Sequence, residues 1–200
     1  MQEFILVVIN DFGYLGILFL IMLENLLPPI PSEVILLLGG FFTTNTSLQV
    51  GGVILFSTLG SVLGAIILYY LGYTGRNLMK KEKINVGKAS AWFLSKGTKA
   101  VFLGRFVPII RSLISIPAGV SKMFFLPFLI YTTFGSLIWN SVLIVSGRVL
   151  GKNYGIMLDV LDKYAKVVLG LFLLIIFIKI IWKRYNRTIK VLKVKRLYFF

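Results

Sequence analysis

Four ionisable residues stand inside otherwise apolar sequence: Glu24, Glu33, Arg105 and Arg111. The arginines fall in GRFVPIIRSLISIPAG (Gly104–Gly119), with Pro108 between them and Pro117 closing the run. An ionisable side chain at hydrocarbon depth costs roughly 2.5–3.5 kcal/mol on insertion scales, so such residues mark substrate or ion paths. Guanidinium groups are planar, permanently charged donors that grip phosphate bidentately. Glu24 and Glu33 flank Pro28, Pro29 and Pro31 and supply carboxylates that can exchange protons. With all four charged the set is neutral and each ion can find a partner. Protonating one glutamate leaves a positive pocket suited to a phosphate. The expected chemistry is proton-linked binding and release of an anionic head group by Arg105 and Arg111, with Glu24 and Glu33 carrying the protons.

Those residues need elements that bring them to membrane depth. The apolar limbs around the first proline turn, Phe12–Leu23 and Val34–Phe42, are too short at ~1.5 Å per residue to cross a ~30 Å hydrocarbon core. They read as a hairpin that enters and leaves by one face. Ser32 is placed to cap the second limb, with Glu33 in its first turn at the positive helix end. The proline-broken arginine segment reads as a second hairpin of the same kind.

Composition fixes the class. The chain has 200 residues, 58% of them apolar, and a mean hydropathy of +0.90, which belongs to polytopic membrane proteins. It has no cysteine, so disulfides and thiolate metal sites are excluded, and no histidine, so imidazole chemistry is too. No metal or cofactor site is read. The net charge of +15 is placed for a membrane rather than for nucleic acid, because eight basic residues crowd Lys179–Arg196 after an apolar run. The N-terminal MQEFILVVINDFGY carries no basic side chain, and no signal peptide is read there.

Spanning helices are expected at Val53–Leu71, Phe124–Val145 and Val167–Trp182. The first carries Gly60 and Gly64, a small-residue face for helix packing. The positive-inside rule makes the Arg76–Lys99 loop and the tail cytoplasmic, and the TTNTSLQ and Gly147–Lys166 loops external. The glutamate hairpin then dips in from outside and the arginine hairpin from inside. The fold expected is all-α: a polytopic membrane protein with two opposed re-entrant helical hairpins in an inverted repeat, plus three spanning helices. It is read as one membrane domain, with a core at 10–155, a last span at 164–182 and a basic tail at 183–200. Within the basic loop, VGKASAWFLSKG (Val86–Gly97) reads as a surface helix with Trp92 and Phe93 at the interface.

Blander readings stand beside these. The four charges could be structural ion pairs, although buried pairs stabilise weakly, and Glu24 could snorkel to head-group level. Asn140 reads as an interhelical hydrogen-bonding residue, the Tyr69–Tyr70 pair as an interfacial anchor, and Gly60 with Gly64 as packing.

The motifs E-x8-E around P-x-P (Glu24, Pro29, Pro31, Glu33), LGAIILYYLG (Leu63–Gly72), GRF-x-P-x-x-RSLISIPAG (Gly104–Gly119) and FGSLIWN (Phe134–Asn140) resemble the DedA family of bacterial inner-membrane proteins. Its core is also called the VTT or SNARE-associated domain. The resemblance covers roughly residues 10–155. It implies translocation of a phosphate-bearing lipid, undecaprenyl phosphate first and phosphatidylethanolamine second, with dependence on the proton-motive force. It further implies a multi-pass location in the bacterial cytoplasmic membrane with the C-terminus cytoplasmic. Carried over by motif, the acids are Glu24 and Glu33 and the arginines Arg105 and Arg111. Many members have an acid just after the glycine matched by Gly64; here it is Ala65. Two other classes are open, a lipid phosphatase and a proton or small-ion transporter.

Overall fold

A computed structural model describes residues 2–27, 31–81, 97–107, 110–151 and 163. The chain divides into two units, Met1–Tyr154 and Gly155–Phe200, and the fold below is that of the first. The expected span Val167–Trp182, the basic tail, residues 86–96 of the expected surface helix, and Pro28, Pro29 and Pro108 lie outside the described residues.

Every element described is helical: α1 (Gln2–Leu26), α2 (Ser32–Asn45), α3 (Val50–Lys81), α4 (97–104), α5 (Ile110–Leu113), α6 (Ser115–Val120) and α7 (Phe125–Leu150). Among the described residues three stretches are apolar and long enough to cross a membrane, Val7–Leu26, Val50–Gly75 and Phe125–Leu150. The last two are the spans read from the sequence, somewhat extended. Their burial pattern is that of lipid-embedded helices. On α7 the inward residues include Thr132, Ser136 and Asn140, whereas Phe134, Val142, Val145 and Val149 face outward. Polar groups inside and apolar groups outside suit a bilayer, where helices gain from interhelical hydrogen bonds and close packing.

Val7–Leu26 contains Phe12–Leu23, which the sequence reading took for a hairpin limb too short to span. It is long enough to span, but it is not straight. Gly13 has φ 54° and ψ −124°, a conformation only glycine adopts without strain. The arm before it folds back, so that Val8 lies against Gly16. The remaining arm, 14–26, is about 20 Å long. α2 is of similar length, and nine consecutive residues, Ser32–Gly40, are buried. Its N-cap is Pro31, and no side chain caps it. Ser32 is the first helical residue instead, so the capping role expected of Ser32 is not there, although Glu33 does lie in the first turn.

Contacts give the helix directions. Tyr14 stacks on Phe56 at 5.3 Å, Leu18 lies against Gly60 and Met22 against Gly64, so the second arm of α1 runs parallel to α3. In the same way Phe102 meets Tyr131, Arg105 meets Gly135 and Phe106 meets Trp139, so the α4 segment and the turn after it run parallel to α7. α3 and α7 are antiparallel: Asn140 bonds Ser57 and Ser61, and Phe128 stacks on Tyr69 at 4.7 Å.

Two helix crossings mirror one another. Gly40 of α2 sits against Ile144 and Arg148 of α7, and Gly147 of α7 against Leu37. Gly119 of α6 sits against Tyr69 and Tyr73 of α3, and Gly72 of α3 against Ile116. At each site a Cβ would collide with backbone, so only glycine permits this approach. Ser57–Ser61 (STLGS) and Thr132–Ser136 (TTFGS) occupy matching positions on the two long helices. The Gly60 and Gly64 packing role and the Asn140 bridge are as expected. Tyr69 is not an interfacial anchor. It is buried with Ala65, Val101, Ala118 and Phe128, and its hydroxyl donates to the Met123 carbonyl; Tyr70 is half exposed.

Candidate functional site

Asn25 and Arg105 reach the same level of the two long helices. Asn25, beside Glu24, lies against Gly64 near the middle of the Val50–Gly75 stretch. Arg105 lies against Gly135. Because Gly135 falls between Phe128 and Asn140, the antiparallel pairing sets it opposite the Ser61–Tyr69 segment that contains Gly64.

All four sequence-chosen residues are buried: Arg105 is 1% exposed, Arg111 3%, Glu24 4% and Glu33 5%. A 4.0 Å ion pair joins Arg111 Nη2 to Glu24 Oε2, and the Ser112 hydroxyl donates to Glu24 Oε1 at 3.4 Å. Glu33 accepts from the Ser32 hydroxyl at 3.4 Å. The other arginine is held differently. Arg105 Nη2 donates to Ser115 at 3.0 Å and to Thr132 at 3.3 Å, both neutral hydroxyls. The expectation that each charge pairs with an opposite one is therefore met for Arg111 and Glu24, while Arg105 and Glu33 have hydroxyl partners.

Arg105 keeps Nε and Nη1 without a partner, and Arg111 keeps Nη1, among the described residues. A buried donor left unmade costs about 1–3 kcal/mol, and more when charged. Three such donors, on Arg105 and Arg111, are charged N–H groups of the kind that carboxylates and phosphates accept from. Glu24 Oε2 also lacks a hydrogen-bond donor. The four buried residues thus comprise an arginine paired with a carboxylate, an arginine held by neutral hydroxyls, and a second carboxylate.

Sequence reasoning missed the hydroxyls that hold Arg105. Thr132 and Ser115 sit on different elements, α7 and α6, and only the fold brings them together. A signal was present, since STLGS and TTFGS are near-copies placed inside apolar helices.

Comparison with known proteins agrees with the pattern of residues. The VTT domain matches residues 30–149. A Lactococcus lactis protein named "Alkaline phosphatase-like protein" is 46% identical over 92% of this chain and 94% of its own length. A Staphylococcus aureus protein named "Undecaprenyl phosphate transporter A" is 35% identical over 84% of this chain and 88% of its own. A Bacillus subtilis protein of the same name is 28% identical, covering 93% and 96%. No solved structure matches the chain.

Proposed function

The chain belongs to the VTT-domain (DedA) family of membrane proteins, and from that premise we propose that it moves a phosphate-bearing lipid across the bacterial cytoplasmic membrane. The observation that carries the reading is Arg105: a buried guanidinium tied by two hydroxyls, with Nε and Nη1 unpartnered. Undecaprenyl phosphate is the substrate of choice, since two relatives bear that transporter name. The isoprenoid tail would stay in the bilayer while the phosphate passes through the site.

In this reading α1 after Gly13 and α2 form one re-entrant hairpin, and α4 through α6 form the other, opposed across the membrane. The C-terminal tail lies in the cytoplasm. The phosphate first meets Arg105, whose donors are open. It then takes Arg111 from Glu24, so carboxylate and phosphate compete for one guanidinium. Protonation of Glu24 weakens its hold on Arg111 and favours the phosphate, and Glu33, in the first turn of α2, is the second carboxylate that exchanges protons. This links lipid movement to protons.

A second reading, phosphate-ester hydrolysis, is favoured by the name of the Lactococcus relative. Against it, the chain contains neither histidine nor cysteine, and phosphatases commonly rely on histidine, thiolate or metal ligands. One experiment separates the two. Purified protein in liposomes is given undecaprenyl phosphate or phosphatidylethanolamine, with and without a pH gradient, while inorganic phosphate is measured. Head-group movement without phosphate release supports translocation; phosphate release supports the enzyme; proton flux in liposomes without either lipid supports an ion transporter.

A further inference from the structure

Arg105 is held through a single nitrogen. Its Nη2 donates to Ser115 Oγ at 3.0 Å and to Thr132 Oγ1 at 3.3 Å, while Nε and Nη1 are without a partner among the described residues. Arg105 is 1% exposed, and Ser115 and Thr132 are fully buried. Which nitrogen is engaged decides what the guanidinium can still do. It carries five N–H groups in a rigid planar fork. It grips an oxyanion with two parallel bonds along either of two edges, one formed by Nε with Nη2 and the other by Nη1 with Nη2. The third side is closed by the side chain's own Cδ. Nη2 therefore belongs to both gripping edges, and its two protons already have two hydroxyl acceptors. Each edge is left with one open nitrogen, Nε on the first and Nη1 on the second. An anion can be met there at one point. A two-point grip requires Nη2 to give up Ser115 or Thr132.

Thr132 is the partner that yields more readily. Its bond is the longer of the two, beyond the usual range for N–H···O, whereas the Ser115 bond lies within it. Thr132 also has a second use for its hydroxyl. A helical threonine can donate to the carbonyl four residues back, and the adjacent Thr133 does so, to Leu129 at 2.8 Å. The Phe128 carbonyl stands in the same relation to Thr132, so the hydroxyl keeps a partner when the guanidinium leaves. Finally, Ser115 and Arg105 share the segment GRFVPIIRSLISIPAG, while Thr132 is on α7. The Thr132 bond is the one that ties that segment to a long helix.

We propose that Thr132 is a positioning residue that latches Arg105: it holds Nη2 in the empty site and is displaced when an anion with two acceptor oxygens takes one whole edge of the guanidinium. This rests on the phosphate-lipid reading given above and adds to it the exchange through which the head group is captured. A ligand with a single acceptor leaves the latch closed. A phosphate offers at least two free oxygens and opens it. Capture of the head group and loss of one tie between the arginine segment and α7 are then a single event. The exchange also fixes the sign of a mutational effect. In the empty protein, Thr132→Val takes an acceptor away from a buried guanidinium and destabilises it. In the complex that hydroxyl has already left Nη2, so its removal costs little there. The empty state rises relative to the bound state, and affinity increases. A threonine that stayed bonded to Arg105 in the complex would give the opposite result, because its loss would weaken the bound state too.

The test uses the purified full-length protein in detergent, titrated with undecaprenyl phosphate at fixed pH and salt, with thermal unfolding measured before and after saturation. Thr132→Val is expected to melt lower than wild type without lipid, to recover most of that difference when saturated, and to bind about tenfold more tightly, the equivalent of one weak charged hydrogen bond. Thr132→Ser restores the acceptor and is expected to bring both readings back toward wild type. Thr132→Val that binds no more tightly than wild type overturns the latch. If the valine variant does not fold, Thr132→Ala removes the same acceptor and is read in the same way. Wild type supplies a further measurement that needs no variant. With arginine labelled by nitrogen-15, solid-state NMR reports which guanidinium nitrogens lie close to the lipid phosphorus. Two nitrogens of one guanidinium support the exchange, and contact with one nitrogen alone overturns it. Wild type that binds no undecaprenyl phosphate overturns the lipid reading and the latch together. Wild type that binds it, beside a threonine-to-valine variant that binds no better, overturns the latch and leaves the lipid reading standing.

Discussion

Replacing Glu24 with glutamine keeps the side chain's shape and removes the charge that faces Arg111. The pair is 4.0 Å apart, with side chains 6% and 3% exposed. Two unit charges at that distance attract by about 4 kcal/mol at an effective dielectric of 20. Desolvation of both ions offsets much of this, so the intact pair adds little net stability. Breaking it has a different outcome, because a lone guanidinium stays buried, at a cost of about 3–5 kcal/mol. The Ser112 hydroxyl can still donate to the glutamine oxygen, so charge dominates the loss. Unfolding of Glu24→Gln in mixed micelles is expected to show that drop. Adding Arg111→Gln is expected to recover part of it, with a coupling of about 0.5–3 kcal/mol in the double-mutant cycle. Affinity for a phosphate-bearing lipid is expected to move the other way. Without a competing carboxylate, Arg111 gains a charged hydrogen bond of about 1.5–3 kcal/mol, roughly 10- to 150-fold in dissociation constant. Glu24→Gln with wild-type stability and wild-type affinity would refute the competition.

The crossing at Gly119 gives a second test, since a methyl group there meets the Tyr69 carbonyl, whereas Gly51 has open space. Gly119→Ala is expected to destabilise by about 1–3 kcal/mol and Gly51→Ala to change little, as read by thermal unfolding. Gly13→Ala strains a backbone that requires positive φ and is expected to cost about 1–3 kcal/mol. It should also loosen the packing of Val8 on Gly16, which faster proteolysis of the N-terminal arm would report.

Much of the fold was legible because bilayer thickness turns length into topology. The spans on α3 and α7 stood out in this way, whereas the limb read as Val34–Phe42 is the 14-residue α2 and the limb read as Phe12–Leu23 lies within the longer α1. The break at Gly13 was not legible, since a glycine in an apolar run looks like packing until its φ is known. The glycine crossings were half visible. Gly60 and Gly64 stand out by spacing, but Gly40 and Gly147 pair across distant sequence. The four charges were found because ions are rare at membrane depth. Their pairing was not, because the choice between a carboxylate and a hydroxyl partner for Arg105 depends on where α6 and α7 meet. Tyr69 was misread for the same reason: a tyrosine at the interface and one bonded to a buried carbonyl look alike in sequence.

The central claim is that Arg105 offers its open donors to a lipid phosphate. The most direct measurement is undecaprenyl phosphate movement in liposomes by Arg105→Gln, beside wild type and with folding checked by thermal unfolding. The account expects a folded variant whose transport falls at least tenfold, the loss of about one charged hydrogen bond. A folded Arg105→Gln protein that moves the lipid at the wild-type rate would contradict it.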